Sequence, residues 1–99
     1  MSTTDVDALR ERSRDAFGQD YQLEVMLEIF DTKGSVNMSE VAASLGLTTS
    51  QVQSAWKRLT KVGLLELISR RHRTKLYRRR KSAAWSWARE LAGDLWVRD

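Results

Sequence analysis

The side chains best suited to chemistry in this 99-residue chain lie in a polar run and a basic run. Hydroxyl and amide groups of the polar run can donate to and accept from the edges of nucleic-acid bases. Cations at the end of that run, and throughout the basic run, can neutralise phosphates. The candidate residues of the polar run are Thr48, Thr49, Ser50, Gln51, Gln53, Ser54, Lys57, Arg58 and Lys61. Those of the basic run are Arg70, Arg71, His72, Arg73, Thr74 and Lys75.

Charge is distributed unevenly along the chain. Positions 57–81 contain eleven Lys or Arg residues and a single acid, Glu66, whereas the remainder has a net charge of −6 and the whole chain +4. This asymmetry indicates one surface suited to a polyanion and others suited to different partners. The alternative is a solvated basic face. That alternative applies most to residues 78–81, which could solvate a strand end or the start of the next helix.

Apolar residues at helical spacing predict four helices before residue 64. Polar caps precede these helices and glycines follow them. The predicted N-caps are Thr4 or Asp5, Asp20, Asn37 and Thr48. The predicted stops are Gly18, Gly34, Gly46 and Gly63. Two of the caps, at positions 37 and 48, also have the spacing of a capping box.

Residues 64–68 and 76–78 predict two strands of a hairpin with a basic tip. The tip contains neither Gly nor Asn, so its turn type stays open. Ser82 is the predicted cap of a last helix that continues through Trp96. We therefore expect one mainly α domain with a small β-hairpin over residues 1–99. Its parts are N-terminal helices at 1–34, two helices joined by a tight turn at 37–62, the hairpin at 64–80 and a C-terminal helix at 82–97.

Residues 36–78 resemble the winged helix of ArsR-type and MarR-type bacterial regulators. The most specific parts are Leu45-Gly46-Leu47-Thr48, in the turn between two short helices, and Gly63-Leu64-Leu65, before the hairpin. The resemblance implies a winged helix-turn-helix with extra N- and C-terminal helices. It places the polar run in the major groove, and the basic run in a wing on the DNA backbone or in the minor groove.

Two residues depart from the family pattern. Trp56 stands where Leu or a similar residue is usual, and Ala55 stands where many ArsR-type proteins carry a polar group that reaches DNA. The second departure shifts expected base reading toward Gln51, Gln53 and Ser54. The chain also lacks the Cys and His ligands of the family's metal sensors, so metal sensing is not carried over.

Three of the four tryptophans crowd the predicted last helix. One helix on a small core is not expected to bury all three, and aromatic anchors are enriched at interfaces. The resembling families also dimerise through terminal helices. The alternatives are burial within one chain and a pocket for a small aromatic effector. The predicted homodimer interface comprises Val6, Leu9, Phe17, Trp85, Trp87, Ala88, Leu91, Ala92, Leu95 and Trp96.

These features predict a sequence-specific double-stranded DNA-binding protein that is a homodimeric transcriptional regulator. Repression by blocking polymerase is favoured over activation, but the sequence leaves the direction of regulation open. The alternatives are a winged helix that docks proteins, a DNA-binding accessory protein of a plasmid, phage or partition system, and an RNA-binding variant. Enzyme activity is not expected, because the chain lacks a phosphate-cradling glycine loop, a nucleophile elbow and a His-based acid–base pair. With one His and no Cys, neither a metal nor a cofactor is expected. The absence of cysteine, of a signal-peptide pattern and of a long apolar run predicts a cytoplasmic location.

Overall fold

The computed structural model describes residues 4–97, so positions 1–3 and 98–99 of the predicted domain lie outside the described residues. Within that range, five α-helices and one two-stranded antiparallel hairpin confirm a mainly α chain with a small β-hairpin. A 3₁₀ turn, Gly93–Leu95, follows the last helix. No helix among these residues has both the length and the apolar character needed to cross a membrane. The elements are α1 (Val6–Phe17), α2 (Gln22–Asp31), α3 (Met38–Leu45), α4 (Thr49–Lys61), β1 (Leu65–Arg71), β2 (Thr74–Arg79) and α5 (Ala83–Ala92).

The hydrophobic core is built around α2, whose residues 22–29 are all buried. Such a helix, apolar on most sides, must be enclosed by other elements. The helices α1, α3, α4 and α5 each turn an apolar stripe toward the core, and β1 adds Leu65. Trp85 of α5 is buried in this core, where its ring stacks on Phe30 with the centroids 6.5 Å apart. The five helices therefore share one core.

Four of the five helices begin at caps predicted from the sequence. The side chains of Asp5, Asn37 and Ser82 each accept a backbone N–H from the first turn of the following helix. Thr48 and Gln51 form a complete capping box at the start of α4. The helices α1 and α3 end at Gly18 and Gly46, whose positive φ angles of 73° and 68° suit a residue without a Cβ.

The predicted start of α2 is wrong, because a tertiary contact replaces the expected cap. Tyr21 occupies the cap position and makes no side-chain cap bond. Instead, the buried Ser13 hydroxyl of α1 accepts the Leu23 N–H at 3.0 Å. The Asp20 carboxylate, which was expected at the cap, accepts a hydrogen bond from Arg14 at 2.7 Å, and this bond lowers the pKa of Asp20.

The end of α2 also differs from the prediction. The helix stops before Gly34, with Thr32 as its C-cap. Arg79 of β2 then donates through Nη1 to the carbonyls of Ile29, Phe30 and Thr32, at 2.9, 3.1 and 3.3 Å. Its guanidinium also lies 5.2 Å from the Phe30 ring centroid. One arginine of the hairpin thus donates to three carbonyls at the end of α2, where a helix leaves its last carbonyls short of intrahelical donors. Of the three, the Ile29 carbonyl also accepts the Thr32 N–H.

The hairpin lies within the predicted range, but its two strands are longer than predicted, and most of its basic tip is strand. The register pairs Arg71 with Thr74, which leaves only His72 and Arg73 in the turn. Both turn residues have positive φ, 49° and 68°, the pattern of a type I′ turn. This turn type normally favours Asn and Gly.

The C-terminal helix is shorter than predicted. It ends at Ala92, and Gly93 leads into the 3₁₀ turn, so Leu95 and Trp96 lie beyond the helix. The indole Nε1–H of Trp96 donates to Asp31 at 2.8 Å, and Arg89 donates to the same carboxylate. The Trp96 bond therefore joins the segment after α5 to the end of α2, a position that helical periodicity cannot predict.

Neighbouring arginines of β2 are expected to differ sharply in their contribution to stability. Arg79→Met removes the donor to three α2 carbonyls, so we expect a loss of about 1–3 kcal/mol in the free energy of unfolding. Arg78→Met breaks only an exposed pair with Glu66, 3.2 Å apart, and should cost less than about 1 kcal/mol. Urea denaturation of both variants measures the difference. Equal losses would contradict the assigned role of Arg79.

Candidate nucleic-acid interface

The helix α4 separates buried apolar residues from exposed polar and basic ones. Val52, Ala55, Trp56 and Leu59 are buried at spacings of three and four, so one face of α4 is turned toward the core. The opposite face is exposed to solvent. The exposed residues of α4 that were predicted from the sequence are Thr49, Ser50, Gln53, Ser54, Lys57, Arg58 and Lys61. Of these, Arg58 also donates to the carbonyl of Phe17 at 3.3 Å.

Two predicted site residues at the start of α4 have structural roles. The Thr48 hydroxyl accepts the Gln51 N–H at 3.2 Å, and Gln51 Oε1 accepts the Thr48 N–H at 2.9 Å. The amide Nε2 of Gln51 donates to the Tyr21 hydroxyl at 3.0 Å. Both ends of the Gln51 amide are therefore engaged within the chain. Base reading by Gln51 stays a prediction, whereas Gln53 and Ser54 are exposed polar residues near it.

The hairpin is held beside α4 by its base. Tyr77 of β2 exchanges two backbone hydrogen bonds with Val36, the residue before α3, at 2.8 and 2.9 Å. The Tyr77 ring also meets the ring of Trp56 of α4 edge to face, with the centroids 5.4 Å apart and the planes at 85°. Side chains alternate along a strand, so Lys75 lies on the same face of β2 as Tyr77, nearer the tip. Its partner in the register is Arg70.

All six predicted residues of the basic run are exposed. Arg70 and Arg71 lie at the end of β1, His72 and Arg73 form the turn, and Thr74 and Lys75 begin β2. Their position on a two-stranded arm beyond the core explains the exposure. The cations that follow the tip are used differently, because Arg78 pairs with Glu66 and Arg79 contacts the end of α2.

A groove of about 460 Å³ lies between α4, the start of α3 and the hairpin. It brings the polar run and the basic run together, since residues of both line it. The lining residues are Asn37, Met38, Ser39, Glu40, Gln53, Trp56, Lys57, Arg73, Thr74, Lys75 and Tyr77. Sequence reasoning missed positions 37–40 as part of this site. Only a helix cap marks them in the sequence, and their proximity to the hairpin depends on the bridge between Val36 and Tyr77.

The predicted dimer interface is divided by the structure into buried and accessible residues. Leu9, Trp85, Ala88 and Ala92 are completely or almost completely buried within the chain itself. Their assignment to a surface is corrected, because the core of a single chain already covers them. Phe17, Leu91, Leu95 and Trp96 are partly buried against that core. Val6 and Trp87 remain exposed at 37% and 46%.

Trp87 forms the accessible aromatic part of α5. Its ring meets Phe17 of α1 edge to face, with a centroid separation of 5.4 Å. As expected, the three tryptophans are not all buried. Trp85 is covered by the core, Trp96 lies beyond the helix and is partly covered, and Trp87 is exposed. Of the residues predicted for an interface, Trp87 is therefore the aromatic one with substantial area left to bury.

Comparison of the chain with protein-family models, with curated proteins and with solved structures finds no match. The function is therefore inferred from the arrangement of α4, the hairpin and the groove between them.

Proposed function

We propose that this chain is a winged helix protein that binds double-stranded DNA as a homodimer and regulates transcription. The observation that carries the proposal is the convergence of exposed polar and basic side chains from α4 and the hairpin on one groove. A helix that enters the major groove must present small polar groups at its start and cations along its exposed face. The exposed face of α4 meets both requirements.

The order of elements supports the same proposal. Val36 lies in a short extended segment between α2 and α3. It pairs with Tyr77 of β2, the second strand of the hairpin. Two helices joined by Gly46 and Leu47 follow, and then the two strands of the hairpin. A winged helix has this order of helix, short strand, two helices and two further strands. The comparisons name no family, so the proposed relationship rests on this order and on the residues of the groove.

In the proposed complex, Gln53 and Ser54 contact base edges, and Lys57 and Lys61 contact phosphates. Gln carries both a donor and an acceptor on one planar amide, which allows it to pair with adenine. The exposed hairpin tip contacts the DNA backbone or enters the adjacent minor groove, and Arg71 and Arg73 contribute charge there. Neutralised phosphates release counterions, so affinity falls as salt concentration rises. Bound at an operator, the protein represses by excluding polymerase.

The exposed side of α5 supports the homodimer. Exposed residues recur on this side at helical spacing, namely Ala83, Trp87 and Glu90. The basic residue Arg80 precedes them, and the acidic residue Asp94 follows them. If the α5 helices of two copies pack antiparallel, the basic start of each helix lies beside the acidic end of the other. It also brings the two Trp87 rings together at the two-fold axis. This symmetric match moves the proposed interface from the buried residues of α5 to its exposed side.

Changing the turn to H72N/R73G separates folding from DNA binding. Gly fits the positive φ of residue 73, and we expect the free energy of unfolding to rise by roughly 1 kcal/mol. The same variant loses the Arg73 cation, so the slope of log affinity against log salt should decrease by about one for a random duplex. H72N alone is the matched control. An unchanged slope in the stabilised double variant would count against a DNA contact by Arg73.

Two glutamines of α4 should respond differently to replacement by alanine. After an operator has been selected from a random duplex library, Gln53→Ala should lower the preference for operator over random DNA by about 1–3 kcal/mol. Gln51→Ala should retain that preference and instead lower the free energy of unfolding by about 0.5–1.5 kcal/mol, because it removes the side-chain bonds to the Thr48 N–H and to Tyr21. Binding titrations and urea denaturation measure the two effects. If Gln53→Ala weakens both duplexes equally, its proposed base contact is wrong.

Trp87→Ser should shift the protein from dimer to monomer, because it removes the aromatic centre of the proposed interface. Ile68→Ser is the matched control, since Ile68 is an apolar residue of the hairpin with a similar exposure of 47%. Sedimentation velocity at low micromolar concentration measures the mass of each. A monomeric native protein, or an unaltered mass for Trp87→Ser, would rule out this interface.

A further inference from the structure

The groove between α4 and the hairpin combines cations with an apolar wall. Lys57 comes from α4, and Arg73 and Lys75 come from the hairpin. All three side chains are exposed, and none forms an ion pair within residues 4–97. Met38 and Tyr77 contribute apolar surface to the same groove. A single small molecule with an anionic end and an aromatic end would match both parts.

The indole of Trp56 adds an independent indication. Its side chain is almost completely buried at the groove, and its Nε1–H has no acceptor among the described residues. A buried indole N–H usually finds a hydrogen-bond partner. A ligand acceptor atom that reaches this N–H from the groove can supply that partner.

Size and charge narrow the class of ligand. A volume of about 460 Å³ lies within the range of small-molecule sites. The three cations favour a group with two negative charges, and Arg73 offers the planar fork that binds phosphate through two parallel hydrogen bonds. The one acid of the lining, Glu40, belongs to the start of α3. With three cations against one acid in its lining, the groove suits a phosphate group.

We propose that the groove is a binding site for a phosphorylated aromatic small molecule of mononucleotide size. Its phosphate is bound by Lys57, Arg73 and Lys75, and its ring packs on Met38 and Tyr77. A ring nitrogen or carbonyl accepts the Trp56 N–H. The regulatory consequence rests on the proposed function. If DNA phosphates use the same cations, then the small molecule and DNA compete for the groove.

Binding is tested without DNA by isothermal titration calorimetry of the full chain at low salt, with adenosine monophosphate, adenosine and inorganic phosphate as probes. We expect the monophosphate to bind at least about tenfold more tightly than either of the others, because only it supplies both a charge-assisted contact and a ring. Equal binding of phosphate and monophosphate would overturn the aromatic part of the proposal. Equal binding of adenosine and monophosphate would overturn the phosphate part, and absence of binding would overturn both.

A matched pair of variants distinguishes a site from general attraction to the basic surface. Lys57→Met removes a cation that lines the groove, and it should weaken the monophosphate about tenfold. Lys61→Met removes the same charge from an exposed position on α4 that is outside the groove lining, and it should change the affinity by less than about twofold. Equal effects of the two changes would mean that the monophosphate binds through general charge attraction rather than in the groove, and would overturn the proposal.

Measurements of monophosphate binding and of duplex binding distinguish the ligand site from the DNA-binding surface. Duplex binding without monophosphate binding overturns the ligand site alone. Monophosphate binding that depends on Lys57, in a protein with no affinity for duplex DNA, supports the ligand site and overturns the DNA-binding proposal. If the protein binds both the monophosphate and the duplex, added monophosphate should raise the apparent dissociation constant of the duplex for the Lys61→Met variant. The rise should be much smaller for the Lys57→Met variant. An equal rise in both would overturn competition through the groove.

Discussion

The arrangement of the candidate interface depends on the contact between Trp56 and Tyr77. Trp56 belongs to the buried stripe of α4, so its ring is fixed by the same packing that turns the polar face of that helix outward. Tyr77 belongs to β2, where its backbone is paired with Val36. The edge-to-face contact between the two rings therefore joins α4, the hairpin and the segment before α3 at one point. Cations that are distant in sequence line one groove because this contact holds their elements together.

Charge alone does not indicate which cations of the sequence are left without contacts inside the chain. Arg78 and Arg79 are neighbours on β2, but alternation along the strand turns one toward Glu66 and the other toward the end of α2. Gln51 and Gln53 are also close together on α4, but only the Gln51 side chain forms hydrogen bonds in a capping box and to Tyr21. The surface that remains for a partner is therefore smaller than the basic block of the sequence, and it includes the groove and the hairpin tip.

Features set by local interactions could be predicted from the sequence, whereas those set by distant contacts could not. The capping residues of α1, α3, α4 and α5 satisfy groups within one helical turn, and each occurs where its spacing predicts. The start of α2 could not be predicted in this way, because its acceptor is a hydroxyl of α1. The turn at His72 and Arg73 lacks the residues that favour positive φ, so its geometry follows from strand pairing. The burial of Trp85 and the contribution of residues 37–40 to the groove likewise depend on how elements meet in space.

The central claim, that this surface binds double-stranded DNA, is tested most directly by fluorescence anisotropy of the native chain with a random duplex at several salt concentrations. The same strand in single-stranded form is the control. We predict that the duplex binds more tightly than the single strand, and that log affinity falls linearly and steeply with log salt as phosphate contacts release counterions. No binding of the duplex even at low salt, or an affinity that is independent of salt, would contradict the account.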